Sequence, residues 1–398
     1  MTSSAPSAAD AVRLPTERSG PFDPPPELGR LRSRDPVRRL KFPDGTLGWL
    51  VTSHAAVREA LLDPRLSARQ EIRNLPPGQE RPGPAAPGFF VRMDPPDHTR
   101  YRRMLAGQFT QRRMNLLTPR IEAIVDERID AMLRHGPPVD LVRAFALPIP
   151  SLVICELLGV PYADRERFQL SSHMAVDLEA TPDQVAAAMS DFTTFLGELV
   201  EHKLADPGDD LVRWLIAASD LTDQELTAMA FLLLVAGHET TANMLGLGVF
   251  TLLCHPEQLD RMRTEPSIAA SAVDELLRYL TIMQFGAMRV ALEDVEFRGR
   301  PMRAGEALIL SLPAANRDPE YVTDPDTLDL GRPASGHVAF GLGVHHCLGH
   351  QLARIEMRVA YTALLRRIPG LRLAVGPEKV GLRDSMAVYG VHRLPIAW

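Results

Sequence analysis

Residues 226–254 form an apolar run longer than the roughly 20 residues that suffice to cross a bilayer. His238, Glu239 and Asn243 fall in its middle, where each is costly in lipid. The run therefore reads as a long helix through the core of a protein, and a helix apolar on all sides needs protein all around it. Its start is marked by Thr222 with Glu225 three residues on, a capping box. A chain of 398 residues with 45% hydrophobic content can enclose such a helix, as one large domain or two average ones.

The middle of the run, Ala236-Gly237-His238-Glu239-Thr240-Thr241, departs from plain core composition. Ala236 and Gly237 are small enough for a ligand to approach the backbone. The Thr240 hydroxyl can bond back to the Ala236 carbonyl and open the helix into a notch. An acid beside a hydroxyl in an apolar notch makes a short path for protons. HEXXH zinc chemistry is excluded, because Glu239 is followed by Thr-Thr-Ala and no second histidine closes the pair.

A second concentration of signal surrounds Cys347, where the loop Phe340-Gly341-Leu342-Gly343 leads into helical spacing. Unpaired amide N–H groups and the helix dipole at such a junction favour a thiolate. Gly341 and Gly343 allow the loop to curl flat against a planar object, and Gly349 leaves room beside the first turn. Cys155 and Cys254 lie in plain apolar runs and read as small buried hydrophobes.

Elsewhere the chain organises these two centres. Residues 1–20 are expected to be disordered, and residues 21–398 to form one domain. Pro43-Asp44-Gly45 predicts a β-hairpin turn, and Ser53 caps a helix over residues 54–62. Residues 68–96 lose periodicity, and Arg69, Arg73, Leu75 and Phe90 are candidates to face a ligand. Residues 94–105 predict a helix with prolines in its first turn and His98 and Arg102 on one face. Amphipathic helices fill residues 116–219. Glu275 and Arg278 form an i, i+3 pair, which on most helices is a surface salt bridge, and strands follow. The net charge of −6 and the absence of a basic stripe or a paired CxxC argue against nucleic-acid binding and structural zinc. Three scattered cysteines and an N-terminus without an apolar core point to a cytoplasmic protein, neither disulfide-bonded nor membrane-bound.

The pattern Phe-Gly-x-Gly-x-His-x-Cys-x-Gly from Phe340 to Gly349 resembles the heme-ligand loop of the cytochrome P-450 superfamily. The other motifs follow in that family's order, so the resemblance covers the chain from about Pro21 to Trp398. It is similar to the soluble actinomycete type. The implied fold is mainly α with a small β-rich subdomain, a triangular prism holding heme b between the long central helix and the Cys-loop helix. Cys347 is then the axial ligand of the iron, with Ala236, Gly341 and Gly349 close to the cofactor. The resemblance gives His98, Arg102, Arg289 and His345 to the heme propionates. Glu239 and Thr240 match the acid-alcohol pair that hydrogen-bonds dioxygen and relays protons. Glu275, Arg278 and Arg332 match a scaffold that supports the cysteine loop. Arg73, Phe90, Phe231, Leu232, Met283, Phe285, Met386 and Val388 are expected to face substrate, and the turn around Glu179 to Pro182 resembles a lid junction.

The implied activity is O2-dependent monooxygenation, hydroxylation or epoxidation, of a bulky hydrophobic secondary metabolite of macrolide or polyketide kind. No flavin or ferredoxin domain follows Trp398, so a separate ferredoxin and its NAD(P)H-dependent reductase are the expected electron donors, docking near Arg102, Arg103 and Arg354. A monomer is expected. Two alternatives stay open: a heme-binding gas sensor or carrier without turnover, and a member catalysing an oxidative rearrangement.

Overall fold

The long helix spans Asp223–Cys254 in the computed structural model, which describes residues 11–76, 78–79, 81–160, 181–205, 211–218 and 220–398. Its capping box is closed: the Thr222 hydroxyl accepts from the Glu225 amide, and the Glu225 carboxylate accepts from the Thr222 amide at 2.8 Å. That carboxylate also takes hydrogen bonds from Arg100 and from the Tyr101 hydroxyl, which ties the helix start to the helix Asp97–Ala106. The rest of the long helix is buried almost throughout, against Pro148–Leu158, Pro182–Ala205 and His350–Arg367. Among the described residues no helix is long and apolar enough to cross a membrane.

A smaller β-rich side flanks this helical body. Strands β1 (Val37–Lys41), β2 (Leu47–Val51), β3 (Leu66–Ser67), β5 (Ala287–Ala291) and β8 (Ala307–Leu310) form a sheet in the order β1-β2-β8-β5-β3. β1 and β2 are the hairpin expected around Pro43-Asp44-Gly45, and β2 runs parallel to β8. Ser53 caps His54–Leu62 as its position predicts. Between the strands of the large sheet fall β4 (Val139–Asp140) and the two-stranded pair β6 (Val295–Phe297) and β7 (Arg300–Met302). After the helix His350–Arg367, strands β9 (Arg372–Leu373) and β10 (Pro395–Ala397) join β4 in a third sheet. The tail between β9 and β10 folds back on itself through a Leu382–Val391 bridge, and Val388 at its tip bridges Met283.

Three expectations need correction. Residues 11–20 are not without structure: Val12 bridges Leu40 of β1, and the Arg18 guanidinium donates to the Gln284 side chain at 3.1 Å and the Asp23 carbonyl at 2.7 Å. Val12 and Leu14 pack against the core and Arg18 ties the segment down, too few residues to make a periodic pattern. The helix predicted over residues 94–105 starts at Asp97, with Pro96 at its cap, so the prolines stand outside it. Thr240 does not break the long helix, which is continuous past it. The Glu275–Arg278 pair, expected as scaffold, is wholly buried and not a surface salt bridge. The amphipathic segment at residues 163–178 and the lid junction at Glu179 lie outside the described residues.

Candidate active site

The cysteine loop is built from glycines and backbone hydrogen bonds. Gly341 and Gly343 take φ of +69° and +73°, a region that disfavours side chains. A Cβ on Gly343 would also come within 2.8 Å of the Leu61 carbonyl oxygen. The Cys347 amide donates to the Phe340 carbonyl at 2.9 Å, which closes the loop, and the helix His350–Arg367 begins three residues later. A Cβ on Gly349 would meet no atom within 4 Å, so open space lies beside this turn. Burial pushes the Cys347 thiol up, against the Gly349 and His350 amides and the Arg102 and Arg354 guanidiniums, which pull it down.

What holds the loop in place starts on the helix Ala269–Leu280. The Arg278 guanidinium makes a two-pronged pair with Glu275, at 2.7 and 2.8 Å, with both side chains fully buried. Arg332 donates to the same carboxylate at 3.2 Å, and the Asp329 amide also donates to it at 3.1 Å. Arg278 also reaches the Asn316 carbonyl at 2.9 Å, and the Asn316 side chain accepts from the Val338 amide at 2.8 Å. Val338 is two residues ahead of Phe340, so the buried pair is linked to the loop through a single asparagine. Asn316 was not a candidate from sequence.

Beside the loop, four basic side chains converge. The His98 and His345 rings lie 4.3 Å apart, and the depressed basicity of His345 reports Arg289 and Arg102 nearby. Burial, then Arg289, His98 and Arg102, hold His345 down at about 3. His98, Arg102 and Arg289 are shifted the same way, each chiefly by burial. Asp94 is the acid that acts on His98 and Arg289, and it is already engaged by the Ser67 hydroxyl and the Ala68 amide. Both ring nitrogens of His98 are buried without a hydrogen-bond partner. Positive charge and unmet donors gathered in one place suit a ligand that carries carboxylates.

The long helix supplies the opposite wall. Ala236 is exposed and Thr240 half-buried in the midst of a buried helix, and the Thr240 hydroxyl donates to the Ala236 carbonyl at 2.7 Å. Glu239 is only 1% exposed. Asn243 donates to its carbonyl at 2.8 Å and its carboxylate at 3.1 Å, and Arg383 forms an ion pair with the same carboxylate oxygen. Neither Asn243 nor Arg383 was a candidate from sequence. Arg383 lies 144 positions from Glu239, and no local pattern joins them.

The apolar candidates divide. Phe90, Phe231, Leu232, Met386 and Val388 are buried, and Met283 and Phe285 half-buried. Phe90 stands 6.0 Å from the His98 ring, and Phe89, not singled out before, 6.2 Å from Phe231. The Met283–Val388 bridge joins two of them. Arg73 goes elsewhere: its guanidinium bonds Asp44 at 2.8 Å and stacks over Phe42, beside the hairpin turn. Its cation is spent within the fold and does not face this site. Arg102 and Arg354 are likewise engaged, with the His346 carbonyl and with Asp274 at 2.7 Å, which leaves Arg103 the exposed one of the three proposed for docking.

These residues fit a heme: a cysteine on a flat glycine-bearing loop, four bases for two carboxylates, and a small residue open on the facing helix. The comparisons agree. A family profile described as cytochrome P-450 matches residues 167–369. Cytochrome P-450 105C1 from a Streptomyces species is 49% identical over 399 residues, covering 100% of both chains. Pentalenic acid synthase from Streptomyces avermitilis is 42% identical over 404 residues, again covering 100% of both. The crystal structure of CYP105P1 in complex with filipin I superposes with a TM-score of 0.92 at 42% identity, covering 98% of this chain and 99% of that one.

Proposed function

The chain belongs to the cytochrome P-450 family, and from that premise we propose that it is a monooxygenase placing one atom of O2 into a C–H or C=C bond of a bulky apolar secondary metabolite. The family's cofactor is heme with a cysteine thiolate on the iron, and when bound it supplies the centre at which dioxygen is reduced. In our reading Cys347 is that thiolate. His98, Arg102, Arg289 and His345 clamp the propionates, while Gly341, Gly349 and Ala236 leave room for the ring. Glu275, Arg278 and Arg332 act at one remove, by fixing the loop that carries Cys347.

The observation that carries the reading is the pairing on the long helix of an open face, Ala236 and Thr240, with a buried carboxylate, Glu239, next in sequence. The Thr240 hydroxyl proton is committed to the Ala236 carbonyl, so its oxygen is left to accept a proton-bearing partner on the open side. Glu239 is placed to pass protons from the interior toward that hydroxyl. A gas sensor needs the thiolate and the propionate clamp, but has no use for this pair.

Two electrons from NAD(P)H, delivered singly through a ferredoxin and its reductase, and two protons reduce the second oxygen atom to water. The substrate class rests on the apolar lining of Phe90, Phe231, Leu232, Met283, Phe285, Met386 and Val388. A relative named for making pentalenic acid and a neighbour solved with filipin I point the same way. We place the protein in the cytoplasm as a monomer. The test is an absorption titration of the heme protein against macrolactones, polyenes, terpenoids and steroids, followed by turnover with ferredoxin and reductase. A spin-state shift with one scaffold, and a product heavier by one oxygen, are expected. Binding without any product supports the sensor instead, and a product isomeric with or dehydrogenated from the substrate supports the rearranging relative.

A further inference from the structure

We infer that Arg383 is a positioning residue for proton delivery, holding the Glu239 carboxylate in place from the tip of the C-terminal tail; this rests on the monooxygenase reading above. Arg383 is 4% exposed and Glu239 1%. The Arg383 guanidinium pairs with Glu239 Oε1 and donates to Asn243 Oδ1 at 3.1 Å. Asn243 in turn donates to Glu239 Oε1 at 3.1 Å and to the Glu239 carbonyl at 2.8 Å. The three side chains close a triangle in which each holds the other two.

The tail is shaped to reach this triangle. A Cβ on Gly390 would lie 2.0 Å from Asn243 Oδ1, so the tail can lie against the long helix here only with a glycine. The Arg383 amide donates to the Gly390 carbonyl at 2.9 Å, which pins both ends of the tip. Gln284 donates to the Asp384 carbonyl at 2.7 Å and the Met386 carbonyl at 3.0 Å, so the same tip carries the apolar residues Met386 and Val388 beside Met283. One element therefore touches both the lining of the substrate side and the proton-carrying acid.

The chemistry follows from burial. A carboxylate taken out of water needs a counter-charge or it takes up a proton. Arg383 supplies a counter-charge, and with Asn243 it holds Oε1 in place. Without Arg383 the acid loses both its charge balance and its fixed orientation, and protons arrive out of step with electrons. Reduced oxygen then escapes as hydrogen peroxide, formed from O2, two electrons and two protons.

The test uses the heme-loaded protein with Arg383→Met, Arg383→Lys, Glu239→Gln and the double variant Arg383→Met/Glu239→Gln. Thermal melting without redox partners reads the pair itself: Arg383→Met melts below wild type, and the double variant melts above Arg383→Met, because neutralising both partners removes the unpaired charge. Additive melting shifts contradict the pairing. In turnover, Arg383→Met keeps heme and the substrate-induced spin shift, but releases several-fold more peroxide per NAD(P)H and shows an altered solvent isotope effect. Arg383→Lys, which keeps the charge, falls between it and wild type. Wild-type coupling and isotope effect in both Arg383 variants overturn the inference, and so does loss of heme from both, which makes Arg383 scaffold. If wild type forms no product, the monooxygenase reading fails, while the melting cycle still decides the pair.

Discussion

Thr240 donates its hydroxyl hydrogen bond to the Ala236 carbonyl, one turn back, and yet the helix stays whole. The hydroxyl is thus oriented rather than buried. Thr240→Ala removes it without touching the Cys347 loop, so heme content and substrate binding should persist. The yield of product per NAD(P)H should fall several-fold, because the hydroxyl that accepts a proton-bearing partner on the open side is gone, as measured by product against NAD(P)H consumed. Glu356, on the cysteine-loop helix, is 2% exposed, and burial pushes its carboxyl up to about 8. Below pH 4.5 folded and unfolded chains both hold this proton. Between there and about 8 only the folded chain does, so stability falls as pH rises, by about 1.4 kcal/mol per pH unit at most, and then levels off. Glu356→Gln should flatten that fall in melting temperatures taken from pH 5 to 8. At this scale sequence reads the residues that act through local neighbours: Cys347, Glu239 and Thr240 each sit in a short pattern. It does not read Arg383 or Asn243, whose meaning comes from a tail brought back across the fold.

The buried pair on Ala269–Leu280 acts as part of an element, since Arg278 reaches Asn316 and Asn316 reaches the amide of Val338 at the head of the cysteine loop. Arg278→Ala leaves the Glu275 carboxylate buried with only Arg332 and one amide for support. Breaking such a pair costs about 3–5 kcal/mol, and the expected result is protein that expresses with little heme. Asn316→Ala removes the link to the loop and a bond to the Thr281 hydroxyl but keeps the carbonyl that Arg278 holds, so it should fold, less stably, and lose heme faster than wild type to an acceptor such as apomyoglobin. Equal heme retention would mean that the loop stands without the asparagine. The spacing of Glu275 and Arg278 was plain in sequence, but their burial was not, because an i, i+3 pair looks the same on a surface. The hairpin, the caps at Ser53 and Thr222 and the long helix were legible for a different reason: each is decided by residues within one turn of one another.

Taken whole, the molecule sets two walls face to face, a long buried helix open at Ala236 and a glycine-curled loop bearing Cys347, with basic side chains beside the loop. Sequence order made this arrangement readable, because each wall carries its own motif. What it could not give is how the ends of the chain close the structure: Arg18 stacks 3.6 Å over Tyr389 and bonds Gln284, joining the N-terminal segment to the C-terminal tip. Composition alone had suggested disorder there. The claim at the centre of the account is that Cys347 holds heme iron as a thiolate, and the absorption spectrum of the reduced protein under carbon monoxide tests it most directly. The account predicts the long-wavelength Soret band of a thiolate-ligated complex in wild type and its loss in Cys347→His. Wild-type protein without heme, or with the Soret band of a histidine-ligated complex, would contradict it.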